Sequence, residues 1–381
     1  MQKDYIIVGQ GIAGSLLAAA LVAAGKTVLV IDNAHSESSS MVAAGDVNPI
    51  TGQRFVKTWK FEALREAMIP MYSTIAGTAG NTIVGTIVET IAETIVPTMY
   101  NERRILRVLH NAKAHNDWQA RTAWEAWQGN IGDEKTVDKA AFEAQFKGVF
   151  GIAEILQGGK VEIQKVLNTI KNNLTKSDSL ITEKFDFDSI YIDKKYINYI
   201  LSDKTQICAN GIIFCEGWQA IRNPYFNYLP FQVSKGESLV VRLPKTYSFG
   251  HYTVKNDVTI SHLYDDLYWI GATNSFEFVT SKPTENARAE LIKRLENALN
   301  LPFEVVEHRA GIRPTVKDRR PLVGQHPQYK NLYIFNGLGT KGASLAPYLV
   351  NCMMAFLDKN TPLEADIDIA RYASFWQDTE F

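Results

Sequence analysis

The opening of the chain reads Asp4-Tyr-Ile-Ile-Val-Gly9-Gln-Gly11-Ile-Ala-Gly14 and continues to Val28-Leu-Val-Ile-Asp32. Tyr5 to Val8 is a short apolar run, rich in β-branched residues and ended by glycine, which predicts a buried parallel strand. Gly9 permits a tight turn, Gly11 lets a pyrophosphate approach the backbone, and Gly14 lets the next helix lie close on the strand. The free N–H groups and positive dipole end of that helix suit phosphate. Val28 to Ile31 predicts the next strand. Asp32 lies 18 residues past Gly14, where a carboxylate can accept both hydroxyls of an adenosine ribose. A glycine triplet alone is a weak signal; the complete series predicts dinucleotide binding and leaves NAD and FAD equally open.

The nearly uncharged stretch from Tyr5 to Ala24 is not read as a signal peptide or membrane anchor. Three glycines and Gln10 interrupt it, and Gly25-Lys26 ends a helix of only about ten residues, too short for a bilayer. A lone lysine followed by Asp4 is a poor basic leader. With 381 residues, two or three domains of usual size are expected. Forty basic against 41 acidic residues give a formal net charge of −1, so no global field favours nucleic acid or an anionic membrane. Cys208, Cys215 and Cys352 form no CxxC pair and the seven histidines show no ligand spacing, so neither disulfide framework nor metal site is expected. A cytoplasmic setting fits this composition, with peripheral contact to the inner face of a membrane left open.

Further along, Phe61 to Tyr72 is an amphipathic helix candidate. Thr82 to Pro97 then repeats every four residues as Thr-Ile-Val-Gly, Thr-Ile-Val-Glu, Thr-Ile-Ala-Glu and Thr-Ile-Val-Pro. Composition favours strand there and Glu89 and Glu93 argue against full burial; an irregular insertion, a lid and a docking surface all fit. Arg103 to Leu109 reads as strand, Trp118 to Trp127 and Val161 to Leu174 as helix, and Asn210 to Glu216 as an apolar strand before Gly217-Trp218. Ser238 to Leu243, Val258 to Leu263 and Tyr268 to Ala272 alternate as strands do, and Pro283-Thr284 opens a helix to Leu299. This order, α/β then helical then α/β, mostly β, and α/β again, predicts two domains built from discontinuous pieces.

Near the C-terminus, Leu332 to Phe335 leads into Asn336-Gly337-Leu338-Gly339-Thr340-Lys341-Gly342 and a helix from Ala343 to Leu357. Just upstream stands Ala310-Gly311-Ile312-Arg313-Pro314 through Pro321-Leu322-Val323-Gly324. Here the chain resembles the D-amino-acid oxidase superfamily of FAD-dependent oxidoreductases, which includes glycine and sarcosine oxidases. The likeness runs in order through Tyr5–Asp32, Ser38–Gly45, Asn210–Trp218, Gly311–Gly324 and Asn336–Pro347, and so spans most of the chain.

The resemblance implies an α/β fold: a Rossmann-like FAD-binding domain (1–70, 148–225 and 306–381) with an α+β substrate domain (71–147 and 226–305) on an antiparallel or mixed sheet. It implies FAD contacts at Gly9, Gly11, Ile12, Ala13, Gly14, Asp32, Ala44, Gly45, Gly217, Trp218, Gly311 and Arg313. It places Gly337, Leu338, Gly339, Thr340 and Lys341 at the flavin, with the glycines and Lys341 at its pyrimidine edge. Hydride arriving at flavin N5 leaves negative charge on N1 and the C2 carbonyl, which a helix N-terminus and a lysine would stabilise. Related sarcosine oxidases tether the flavin through a cysteine where this chain has Gly311, so non-covalent FAD is expected.

Arg313 is the expected grip on a substrate carboxylate, since a guanidinium fork matches two carboxylate oxygens; an ion pair with Asp318 is the competing role. Arg54 and Lys57 follow a loop that passes the flavin in relatives and are candidates to add positive charge for an acidic substrate, with a surface position as their other role; Tyr252, Tyr264, Tyr268 and Trp269 are candidate pocket walls, with sheet packing as their other role. The implied reaction is oxidation of the C–N bond of a small amino acid or secondary amine bearing a carboxylate, with Arg313 and Lys341 carrying it. Trp269 stands where some relatives use a lysine to activate oxygen, so a quinone or carrier protein competes with oxygen as acceptor. Two other functions fit the family: oxidation of a carboxymethylaminomethyl group on tRNA, against which the neutral charge counts, and a non-catalytic flavin-binding subunit. A nicotinamide dehydrogenase leaves the second glycine cluster unexplained.

Overall fold

The computed structural model describes residues 1–34, 38–52, 54–77, 99–132, 137–193 and 195–376. The Thr/Ile repeat at 82–97 lies outside the described residues. The first sheet has eight strands. Its centre is Gln2–Val8, paired in parallel with Val28–Asp32 on one side and Gln206–Phe214 on the other. Leu180–Thr182 extends it beyond Val28–Asp32, and Leu332–Asn336 adds to Gln206–Phe214, both in parallel.

The period of two along these strands builds two cores at once. Ile7, Val30 and Ile213 face helices, whereas Ile6, Val8, Leu29, Ile31, Ile212 and Phe214 face an aromatic cluster with Phe185, Tyr199 and Phe226. Burial on both faces is why the strands read as unbroken apolar runs. The helical layer consists of Ile12–Ala23, Phe61–Gly77, Ile163–Lys176 and Gly342–Lys359, packed on one another. Phe61–Gly77 outruns the expected end at Tyr72 and carries Pro70 inside it. Trp118 lies in Ala112–Thr122 and Trp127 in a separate short turn of helix, both buried in a small satellite core.

The second sheet has seven strands, in the order Glu304–Arg313, Ser234–Arg242, Leu267–Gly271, Thr259–Tyr264, Thr253–Lys255, Ile105–Leu109 and Gly151–Ile155. Two of these segments, Gly151–Ile155 and most of Glu304–Arg313, fall inside ranges that the sequence assigns to the other domain. The reason is pairing: Gly151–Ile155 lies antiparallel to Ile105–Leu109, and Glu304–Arg313 to Ser234–Arg242. One face of this sheet carries Leu239, Val241, Val254, Ile260, Tyr268 and Ile270 into a core with Leu291, Leu295 and Ala298 of the helix Glu285–Ala298. Thr284 caps that helix, its hydroxyl accepting from the Ala287 N–H at 3.4 Å. The opposite face contributes to the wall of a large cavity.

Candidate active site

The cavity has a volume of about 830 Å3 and is lined from both sheets. It opens at the carboxyl ends of the parallel strands, where Gly9, Asp32, Glu216 and Asn336 all reach its wall. The turn after the first strand depends on two glycines. Gly9 has φ +103°, and a Cβ on Gly14 would stand 1.9 Å from the Gly9 carbonyl oxygen, so the helix Ile12–Ala23 approaches only because Gly14 has no side chain. Gly14 itself is off the wall, as is Gly337, while Gly9, Gly11, Ile12 and Ala13 are on it. Ser40 Oγ accepts from the Ile12 N–H at 3.1 Å, so the Ser38–Gly45 segment closes over the helix start.

Asp32 accepts the N–H groups of Gln10 and Ala34, each at 2.7 Å, which fixes the carboxylate at the strand end. Residues 183–188 follow the strand that pairs with Asp32 and complete this end of the cavity. Glu216, between Cys215 and Gly217, also lies here. Burial pushes its carboxyl up to about 7, against a hydrogen bond from Asn223 Nδ2 at 2.7 Å.

At the other end, Lys341 stands at the start of the helix Gly342–Lys359, and its Nζ donates to Thr58 Oγ1 at 3.2 Å. Burial lowers its pKa, and the nearby Arg320 and Arg319 lower it further. Leu338, Gly339, Thr340, Gly311, Ala44, Gly45, Gly217 and Trp218 share the wall with it. Arg313 lies across the second sheet, donating to the Thr273 carbonyl and to Asn274 Oδ1 at 3.1–3.3 Å. Asp318 is engaged elsewhere, by Arg371 and Tyr372, and no carboxylate among the described residues pairs with Arg313. The guanidinium is half-buried, and desolvation lowers its pKa.

Four expected site residues, Arg54, Tyr252, Tyr264 and Tyr268, are off the cavity wall. Arg54 is exposed beside the hairpin of Ile50–Thr51 and Val56–Lys57. Tyr252 and Tyr268 pack in or against the core of the second sheet, and Tyr264 is 56% exposed. The step of one residue explains Tyr268: in Leu267–Gly271, Tyr268 and Ile270 point to the core while Trp269 and Gly271 reach the cavity. Lys57 is tied to Glu62 at 2.5 Å.

Other wall residues carry no motif in the sequence: Asp46, Asn48, Glu216 and Lys255. Lys255 was legible only through alternation, since Val254 turns to the core and Lys255 therefore turns away from it.

Buried donors on the wall indicate what the cavity takes. Trp218 Nε1 and Asn48 Nδ2 are buried and have no protein acceptor among the described residues. Together with a helix N-terminus, a close-approach glycine turn, Asp32 and Lys341, they form a long polar-rimmed cleft that fits FAD.

Comparison with known proteins agrees with that fit. The family model described as FAD dependent oxidoreductase matches residues 4–352. An uncharacterized oxidoreductase, YurR, of Bacillus subtilis (strain 168) is 25% identical over 378 residues, covering 95% of this chain and 97% of that protein. The glycine oxidase structure from Bacillus cereus ATCC 14579 superposes with a TM-score of 0.76 at 19% identity, covering 94% of this chain and 96% of that one. The iminodiacetate oxidase structure from Chelativorans sp. BNC1 gives 0.71 at 21% identity, covering 97% and 98%.

Proposed function

The chain belongs to the family of FAD-dependent oxidoreductases, and from that premise we propose that it oxidises the C–N bond of a small amino acid or secondary amine bearing a carboxylate. The observation that carries this reading is Arg313, a half-buried guanidinium on the cavity wall with no carboxylate partner among the described residues. A partly desolvated cation facing a cavity favours an anion there, and its planar fork suits a carboxylate. Structural neighbours named as oxidases of glycine and of iminodiacetate are in keeping with such a substrate.

FAD, when bound, supplies the two-electron acceptor. The α-hydrogen leaves the substrate with its electron pair, the nitrogen lone pair closes the C=N bond, and oxygen, a quinone or a carrier protein finally takes the electrons. Arg313 fixes the carboxylate and so orients the α-carbon. Lys341 and the N-terminus of Gly342–Lys359 would stabilise negative charge on a bound flavin. An amine that enters neutral needs no general base. Gly311 offers no side chain for a tether, which supports non-covalent FAD.

Anaerobic mixing of the flavin-loaded protein with a panel of amino acids, N-methyl amino acids and hydroxy acids tests the reading. Bleaching of the flavin band near ~450 nm by amines that carry a carboxylate is expected. A protein that takes up no flavin, or whose flavin is bleached only by hydroxy acids, would overturn it.

A further inference from the structure

We propose that Lys255 is a specificity-determining residue that binds a second anionic group, so that the substrate is an amine with two acidic groups, one held by Arg313 and the other by Lys255. This rests on the amine-oxidising reading above and narrows its substrate class.

The placement comes from the register of the second sheet. Lys255 pairs with Thr259, Thr259 with Gly271, and Gly271 with Ser238. Two residues before Ser238, and so on the same face, is Gly236, over which the Arg313 guanidinium lies. Three strand spacings put the backbone of Lys255 roughly 14 Å from that of Ser238, and the two-residue step along the strand makes it roughly 16 Å from that of Gly236. The lysine side chain shortens this gap to one that a short carbon chain with an acid at each end can bridge.

What lies between the two cations fits that chain. A Cβ on Gly271 would stand 2.4 Å from the Trp269 ring, so the indole covers this glycine. Trp269 is held by a hydrogen bond from its Nε1 to the Val42 carbonyl at 3.0 Å. The wall is therefore a guanidinium, an apolar plate and an ammonium in sequence.

The charge is otherwise unspent. Asp46 is the carboxylate near Lys255, and it accepts from Ser261 Oγ at 2.7 Å and Thr253 Oγ1 at 3.3 Å. Its field is shared with Lys160, whose Nζ is engaged by Ser261 and the His262 carbonyl. Arg107 donates to the Gly52 carbonyl and lies on the Phe55 ring. Lys255 alone of this group makes no hydrogen bond or ion pair among the described residues, yet it is on the wall. Burial, opposed by Asp46 and aided by Arg107 and Lys341, lowers its pKa to about 8, which leaves it mostly protonated at neutral pH.

The test is titration of the oxidised, flavin-loaded protein with propionate, succinate and glutarate, following the flavin spectrum. At least one dicarboxylate is expected to bind tighter than propionate by on the order of tenfold or more. Lys255→Met should bring the two classes to parity, and Lys255→Arg should restore the preference. Equal binding of both classes by the native protein, or a preference that survives Lys255→Met, would overturn the inference. The native comparison decides even if a variant fails to load flavin. Bleaching by glycine or N-methylglycine without any dicarboxylate preference sinks Lys255 alone; no bleaching by any amine sinks the wider reading.

Discussion

Arg313 lies across Gly236: a Cβ on that glycine would stand 1.8 Å from the guanidinium Nη2 and 2.1 Å from its central carbon. The arginine rests on Gly236 because that glycine has no side chain; the paired Gly311 is covered by Val42 and Ser39 instead. Gly236→Ala should therefore dislodge Arg313 while flavin stays bound. The concentration of substrate needed for half-maximal rate of anaerobic bleaching should rise by about ten- to a hundredfold. An unchanged concentration dependence would show that the arginine has no such part.

The residues flanking Gly236 form a buried ion pair, Lys235 Nζ to Glu237 Oε1 at 2.8 Å, with both residues 3% exposed. Glu237 also accepts the N–H and hydroxyl of Thr284, which ties the strand to the helix Glu285–Ala298. Glu237→Ala strands the lysine charge and should cost about 3–5 kcal/mol. Urea unfolding of the purified variant measures it; a loss under about 1 kcal/mol would contradict this account.

Gly14→Ala puts a methyl group against the Gly9 carbonyl and pushes the helix Ile12–Ala23 off the strand. Loss of stability of roughly 1–3 kcal/mol is expected. The flavin-to-protein ratio after purification should fall with it, because the pyrophosphate turn and the helix start move together. A variant that retains full flavin would exclude this coupling.

Lys341→Met removes the cation at the start of Gly342–Lys359. Reduced flavin should lose more stabilisation than oxidised flavin, so the midpoint potential should fall by tens of millivolts, on the order of 30 mV for each 1.4 kcal/mol. Dye-coupled reductive titration reads this directly. A potential equal to that of the native protein would leave Lys341 as a packing residue.

Glu216 predicts a pH dependence. Burial pushes its carboxyl up to about 7 in the fold, above the ordinary glutamate range. A raised acid contributes its full stability below the unfolded pKa and loses it as pH rises through the folded one. Native stability should fall relative to Glu216→Gln between pH 5 and 8, by roughly 1–3 kcal/mol. Paired urea unfolding curves at the two pH values check the sign.

Local chemistry made much of this legible. The strand Gln2–Val8, its glycine turn and Asp32 follow from short-range rules, and so do the Thr284 cap and the strand-to-helix passage at Asn336–Gly342. Arg313 could be singled out because its motif is contiguous. Tyr268 was harder, because an aromatic residue in an alternating strand fits the core or the cavity equally until the neighbouring strand fixes the face. Lys255 and Asp46 stand 209 residues apart and share the site only through strand pairing and sheet contact, so no motif could join them. The sheet of Gly151–Ile155 has no local signal for the same reason: its partner, Ile105–Leu109, is chosen by tertiary pairing.

The seven-stranded sheet gives one residue to its core and the next to the cavity, as Tyr268 and Trp269 do, or Val254 and Lys255. Core packing and the cavity wall are thus inherited at interleaved positions of the same strands. Exchanges at the cavity-facing positions can redirect which molecule is recognised while the packing behind them stays intact, so such a scaffold can acquire new substrates one side chain at a time.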